Sequence, residues 1–268
     1  MKAKIINPIG CHVSIAGGVS NAPANARKLE CETFQIFSRS PHGGSVPQLT
    51  TEILAGFAEQ MTKQNYSQFV VHAPYIINFG SDSPKTFQSS IQIIRSELER
   101  SSLLGANYLM FHPGSIKGDL NAGLDQVRKG LAEVLAGYKG PTKLLVEISA
   151  GAGNVIGDTF EEVEAIIKPL KKIKTFGGIC FDTQHAFGSG YDLRTEQAVK
   201  LTFAEFDKII GLKWLKMCHI NDSKVELGSH KDRHEHIGQG KIGEKGFLSL
   251  FKFFKQNNLD IPLILETE

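Results

Sequence analysis

The chain has no apolar run near the ~18 residues of a membrane span, and its opening, Met-Lys-Ala-Lys-Ile-Ile-Asn-Pro, has no signal-peptide core. A soluble cytoplasmic protein is expected, with no membrane partner. Cysteine is scarce: Cys11, Cys31, Cys180 and Cys218 stand far apart, with no C-x-x-C pair. That argues against a thiolate metal site and for reduced core thiols. Net charge is almost absent, 30 Lys+Arg against 28 Asp+Glu, so binding of a polyanion by bulk charge is excluded and any nucleic-acid surface must be local. Charge runs, low-complexity tracts and sequence repeats are missing too.

What remains is a chain of 268 residues, 41% hydrophobic and 22% charged. That composition is globular, and the length suits one α/β barrel, read here as a single domain over 1–268. Short β-branched and apolar runs recur at Pro8–Val13, Thr33–Phe37, Gln68–His72, Tyr108–His112, Lys143–Ile148, Gly178–Asp182, Leu215–Ile220 and Pro262–Glu266. Between them lie stretches of 3.6-residue periodicity, such as Pro84–Leu104, Leu120–Leu135 and Thr195–Ile210. Strand–helix alternation means a parallel sheet, and strands apolar on both faces with no linker between them favour closure into a (β/α)8 TIM barrel. A doubly wound open sheet is the alternative. The chain ends at Thr267-Glu268, directly after the eighth strand. The last helix is therefore expected to be missing from this chain, leaving an apolar strip beside that strand for the N-terminal segment, a partner or further residues to cover.

At the ends of strands three to eight, in the last or next-to-last position of each run, stand His72, His112, Glu147, Asp182, His219 and Glu266. With nine His and 28 Asp+Glu in 268 residues, six successive hits by chance are of order one in 10⁵, and a barrel converges its strand ends on one face. His185, Asp232 and His234 follow shortly after strand ends. One such residue is more often a hydrogen-bonded structural group or a helix cap. Nine buried together without a cation would be very costly. Imidazole with carboxylate suits Zn²⁺, with Mn²⁺ or Fe²⁺ as alternatives, and at roughly four ligands per ion the set holds two or three ions. Zinc lowers the pKa of a bound water towards ~7.

The stretches His72-Ala-Pro-Tyr75, Phe111-His-Pro-Gly-Ser115, Asp182-Thr-Gln-His185-Ala, Gly190-Tyr-Asp-Leu-Arg-Thr195, His219-Ile-Asn-Asp-Ser-Lys224, Asp232-Arg-His234, Ile237-Gly-Gln-Gly240 and Leu263-Ile-Leu-Glu266-Thr together resemble the endonuclease IV family. This is the trinuclear-zinc apurinic/apyrimidinic endonuclease family, and the likeness runs from Gly10-Cys-His-Val-Ser14 to the last residue. The resemblance implies an α/β barrel acting in DNA base-excision repair. It would cleave the phosphodiester 5′ to an abasic site and leave a 3′-hydroxyl. It also implies that His72 and His112 hold one zinc, that Glu147 bridges to a second with Asp182, His219 and Glu266, and that His185, Asp232 and His234 hold a third. Glu147, between two ions, would orient the nucleophile.

After strand two the family carries a loop with Asn, Arg and an aromatic that enters the DNA. Here Ser40, His42 and Gly44 align with those three, so the wedge is largely missing. Tyr75 is the remaining stacking candidate and Arg39 a phosphate contact. Lys117, Lys224, Lys231, Arg233 and Lys241 fall in upper-face loops that can track a phosphate backbone. Ser14 and Gly17-Gly18 suit a helix cap or a phosphate. Two rivals differ in one feature each. A sugar isomerase or epimerase of the same barrel superfamily has no use for the third set of ligands, and a non-catalytic barrel with a structural ion needs only four. A monomer acting on abasic duplex DNA is expected.

Overall fold

The computed structural model describes residues 7–267; the first six residues, on which part of the leader argument and the expected N-terminal cover rest, and Glu268 lie outside the described residues. Eight strands close into one parallel barrel: β1 (Ile9–His12), β2 (Thr33–Phe37), β3 (Val70–His72), β4 (Tyr108–Phe111), β5 (Lys143–Glu147), β6 (Phe176–Asp182), β7 (Leu215–His219) and β10 (Leu263–Leu265). Around the barrel they run β1-β10-β7-β6-β5-β4-β3-β2. Two further strands, β8 (Asp222–Ser223) and β9 (His234–Glu235), form a small antiparallel pair above the barrel. The helices are α1 (Ala22–Lys28), α2 (Thr51–Lys63), α3 (Pro84–Leu104), α4 (Leu120–Leu135), α5 (Phe160–Ile167), α6 (Thr183–Ser189), α7 (Glu196–Ile209) and α8 (Gly243–Gln256). None is long and apolar enough to cross a membrane.

The strand runs expected from sequence coincide with the eight barrel strands to within two residues at each end. Helices α3 and α4 start and stop where their periodicity does. The starts are chemical: Thr50, Ser83, Asp119, Thr159, Asp182 and Thr195 each accept a hydrogen bond from the amide three residues on, which satisfies a donor the helix itself leaves open. After β1, Ser14 accepts from Ala16, and a 3-10 turn at Val19–Asn21 precedes α1.

Two apolar layers hold the barrel. The larger lies between the strands and the surrounding helices, with Phe160, Phe181, Phe203 and Phe206 fully buried where α5 and α7 meet β6. Truncating one such ring costs roughly 3–5 kcal/mol. The smaller layer fills the barrel itself with Val70, Met110, Leu145, Cys180, Met217 and Ile264. All four cysteines are free. Beyond β10 the described residues are Glu266 and Thr267 alone, and Ile9 on the neighbouring β1 is 41% exposed.

Candidate metal centre

Side chains two residues apart on a strand share a face. Adding two to each residue of the inner apolar layer gives His72, His112, Glu147, Asp182, His219 and Glu266, so these six form the next layer up, at the carboxyl mouth of the barrel. The strand register sets His12 from β1 opposite Gln35 from β2, and both reach the same layer. Gln35 Nε2 donates to Glu266 Oε1 at 2.7 Å, and Gln35 Oε1 lies 2.8 Å from His219 Nε2. The sequence reading missed Gln35 and His12: His12 ends β1 as the other residues end their strands, whereas Gln35 lies in the middle of β2 and carries no such signal.

Three groups of ligand atoms draw together within 4.8 Å: His72, His112 and Glu147; Glu147, Asp182, His219 and Glu266; and Asp182, His185 and His234. Glu147 belongs to the first two and Asp182 to the last two. Asp232 flanks the third, its carboxylate 3.4 Å from His185 Nε2 and 3.3 Å from His234 Nε2. Thus all nine expected residues meet around one mouth. Cys180 also approaches Glu147 and His219, but burial raises its thiol well above the ordinary value, which disfavours a thiolate ligand.

The local structure aims several of the ligand atoms at the mouth. His72 Nδ1 donates to Ala73 O at 2.6 Å and His185 Nδ1 lies 3.0 Å from Ile148 O, turning each Nε2 to the mouth; such backbone partners fix the tautomer of metal-binding imidazoles. Asp182 works twice: Oδ1 caps α6 through the His185 amide at 2.8 Å, while Oδ2 takes Asn221 Nδ2 at 2.7 Å and faces His219 and His234. Buried Glu147 Oε2, His185 Nε2 and His234 Nε2 have no hydrogen-bond partner. Buried polar atoms are rarely left so, and here they are the donor atoms that a cation would take.

Electrostatics agree. Burial alone would push the Glu147 carboxyl up, yet His112 and His219 close beside it, with hydrogen bonds from His185 and His219, hold it well below its ordinary value. Burial opposes charge on His219, but Glu266, Glu147 and Asp182 outweigh it and bring the ring to about 9. His185 is raised well above its ordinary value against burial by Asp182, Asp232 and Glu147. His72 is drawn down to about 3, chiefly by burial. Four carboxylates converge here, and the field that retains protons on two imidazoles is one that positive ions satisfy. The donor set fits metal ions.

Above the mouth, a cavity of about 400 Å³ is lined by Tyr75, Asn78, His112, Ser149, His185 and Asp232 among others. Tyr75 is 57% exposed and Ile76 41%; the Tyr75 ring packs edge-on against Phe37 and His72, and its amide donates to Pro41 O at 3.0 Å. Arg39 is buried, its Nη2 donating to Gly44 O at 3.2 Å, so it braces its own loop. Lys117, Lys224, Lys231 and Arg233 are exposed, and Lys241 pairs with Glu226 at 2.7 Å.

Residues 23–268 match the family model described as a xylose isomerase-like TIM barrel. The chain is 42% identical, over 97% of its length and 92% of the relative's, to a protein of Nitrosopumilus maritimus named probable endonuclease 4. It is 38% identical to the apurinic-apyrimidinic endonuclease of Caenorhabditis elegans, over 97% of this chain and 65% of that one. Among solved structures, endonuclease IV from Thermus thermophilus superposes with a TM-score of 0.84 at 33% identity, covering 97% of this chain and 92% of that chain. By sequence, fold and the side chains at its mouth, the chain belongs to the endonuclease IV family of xylose isomerase-like TIM barrels.

Proposed function

We propose that this chain is a metal-dependent phosphodiesterase of DNA base-excision repair, cutting the backbone 5′ to apurinic or apyrimidinic sites. The observation that carries the reading is the third ligand group, Asp182, His185 and His234 with Asp232 beside it, which the isomerase alternative does not need. His72, His112 and Glu147 would hold one ion. Glu147 would also serve a second with Asp182, His219 and Glu266, and His185, Asp232 and His234 would hold a third. Zinc is the resident metal, in two or three copies, with Mn²⁺ or Fe²⁺ able to replace it at some positions. When bound, such ions supply Lewis acidity to a phosphate and acidify a water.

The protein's own part is positioning. Glu147, kept ionised, orients the attacking water. The water's oxygen adds to phosphorus, the bond from phosphorus to the 3′ oxygen breaks, one water proton ends on that oxygen as the 3′-hydroxyl, and the other goes with the new phosphate monoester or to solvent. The 5′ deoxyribose phosphate leaves on the other fragment. Exposed Tyr75, with Ile76 beside it, stacks against the lesion. Lys224 and Arg233, with Lys117 and Lys231, meet neighbouring phosphates. One barrel supplies every residue named, which supports a unit that is a monomer of one domain. Four free cysteines suit the reducing cytoplasm. The test is a duplex with one abasic analogue: a single nick 5′ to the lesion with a 3′-hydroxyl is expected, and epimerisation of a free ketose without any nick would reverse the assignment.

A further inference from the structure

Asp222 has no part in the site above, yet its side chain is fully buried and accepts from five main-chain amides. Ser223 N and Ile242 N reach Oδ1 at 2.7 and 2.9 Å, while Gly238 N, Gly240 N and Gly243 N reach Oδ2 at 3.0, 3.1 and 3.1 Å. Converging amide dipoles offset the cost of burying the charge. Four of the five come from residues 238–243, the turn leading from β9 into α8. Packing there is close: a Cβ on Gly240 would stand 2.5 Å from Asp222 Oδ1.

The arrangement fixes one arm of the centre. Six of the nine ligand residues sit at barrel strand ends and His185 on α6, but Asp232 and His234 hang on the segment that returns through β9. Its ladder is two residues long, Asp222 opposite Glu235 and Ser223 opposite His234, too short to hold itself. Asp222 clamps the far edge of β8 to residues 238–243, helped by Lys241 N to Ser223 O at 2.8 Å. On the near side Gln184 of α6 brackets the arm, its Nε2 donating to Lys231 O at 2.9 Å and its Oε1 accepting from Arg233 N at 3.2 Å.

We propose that Asp222 is a positioning residue for metal binding. It touches neither ion nor substrate, and by holding β8 against the 238–243 turn it sets Asp232 and His234 where the third ion is held. The proposal rests on the reading that this group holds an ion. The test compares full-length wild type with Asp222→Asn, Gly240→Ala and His234→Ala. Each is loaded with zinc alone, checked for folding by circular dichroism, and titrated with a chelator while zinc per chain is counted. Asp222→Asn and Gly240→Ala should each weaken one ion about 10- to 100-fold, the same ion that His234→Ala weakens, and leave the others as in wild type. Uniform weakening of every ion, or no weakening while His234→Ala shows it, overturns the proposal. If Asp222→Asn does not fold, Gly240→Ala decides by the same outcomes. An unchanged zinc affinity in His234→Ala would instead bring down the reading of the third ion, and the proposal with it.

Discussion

Glu147 is ringed by imidazoles: His219 Nδ1 at 2.9 Å, His185 Nδ1 at 3.4 Å, His112 Nε2 at 3.5 Å and His72 Nε2 at 4.0 Å from its oxygens. An amide in its place keeps the shape and loses the shared charge. Glu147→Gln should keep its circular dichroism spectrum while single-turnover cleavage of abasic duplex falls by about 100-fold or more; near-wild-type cleavage would remove Glu147 from the chemistry. The loop after β2 allows a separate test of recognition. Exposed His42 lies 6.3 Å from the Tyr75 ring, and His42→Arg should tighten binding of abasic over intact duplex without changing the rate at saturation. A parent protein that already discriminates strongly would show that Tyr75 and Ile76 suffice. Gly44 is the poorer site for such a graft, because at φ 95° a bulky side chain is strained. At this scale the candidate ligands were legible because their chemistry is unusual at strand ends. Arg39 was not: only the fold shows that its guanidinium turns back to Gly44 O.

Among the elements, β1 shows how little room the closed barrel leaves. A Cβ on Gly10 would stand 1.7 Å from Thr33 O, a backbone atom of the neighbouring strand that cannot turn aside. Gly10→Ala should lower stability by about 3 kcal/mol or more, read from urea unfolding; a change under ~1 kcal/mol would mean that the β1–β2 pairing is looser than described. Between α7 and α8, exposed Glu196 takes Lys200 at 2.7 Å and Lys252 at 2.8 Å, and hydrogen bonds to those two lysines bring its pKa from 4.5 to about 2. A depressed carboxyl stabilises the fold above its unfolded pKa and loses that effect as pH falls through the folded one. The stability difference between wild type and Glu196→Gln should therefore be full above pH 4.5 and vanish near pH 2, and a difference independent of pH would refute the ion-pair account. Barrel strands and long helices were readable because period 2 and period 3.6 run over several residues. The pair β8–β9 was not, since two-residue strands carry no period. It is braced by contacts that no local pattern announces: Asp222 gathers amides from residues 238–243, and Gln184 holds Lys231 and Arg233.

Across the whole molecule, barrel closure turns a list of strand ends into a site. Residues as distant in sequence as Gln35 and Glu266 end 2.7 Å apart, and the alternation that announces the fold also announces where its chemistry lies. Buried carboxylates and imidazoles gathered this way favour any cation that binds only the folded chain. Removing metal with a chelator should lower the thermal midpoint, and adding zinc back should restore it; a midpoint indifferent to chelation would mean that the mouth is self-sufficient. The central claim, a multi-ion hydrolytic centre, is tested most directly by elemental analysis of the purified active protein. Two to three ions per chain, at least one of them zinc, are expected from nine ligands at roughly four per ion. A reproducible content near one ion per chain, with full cleavage activity, would contradict it.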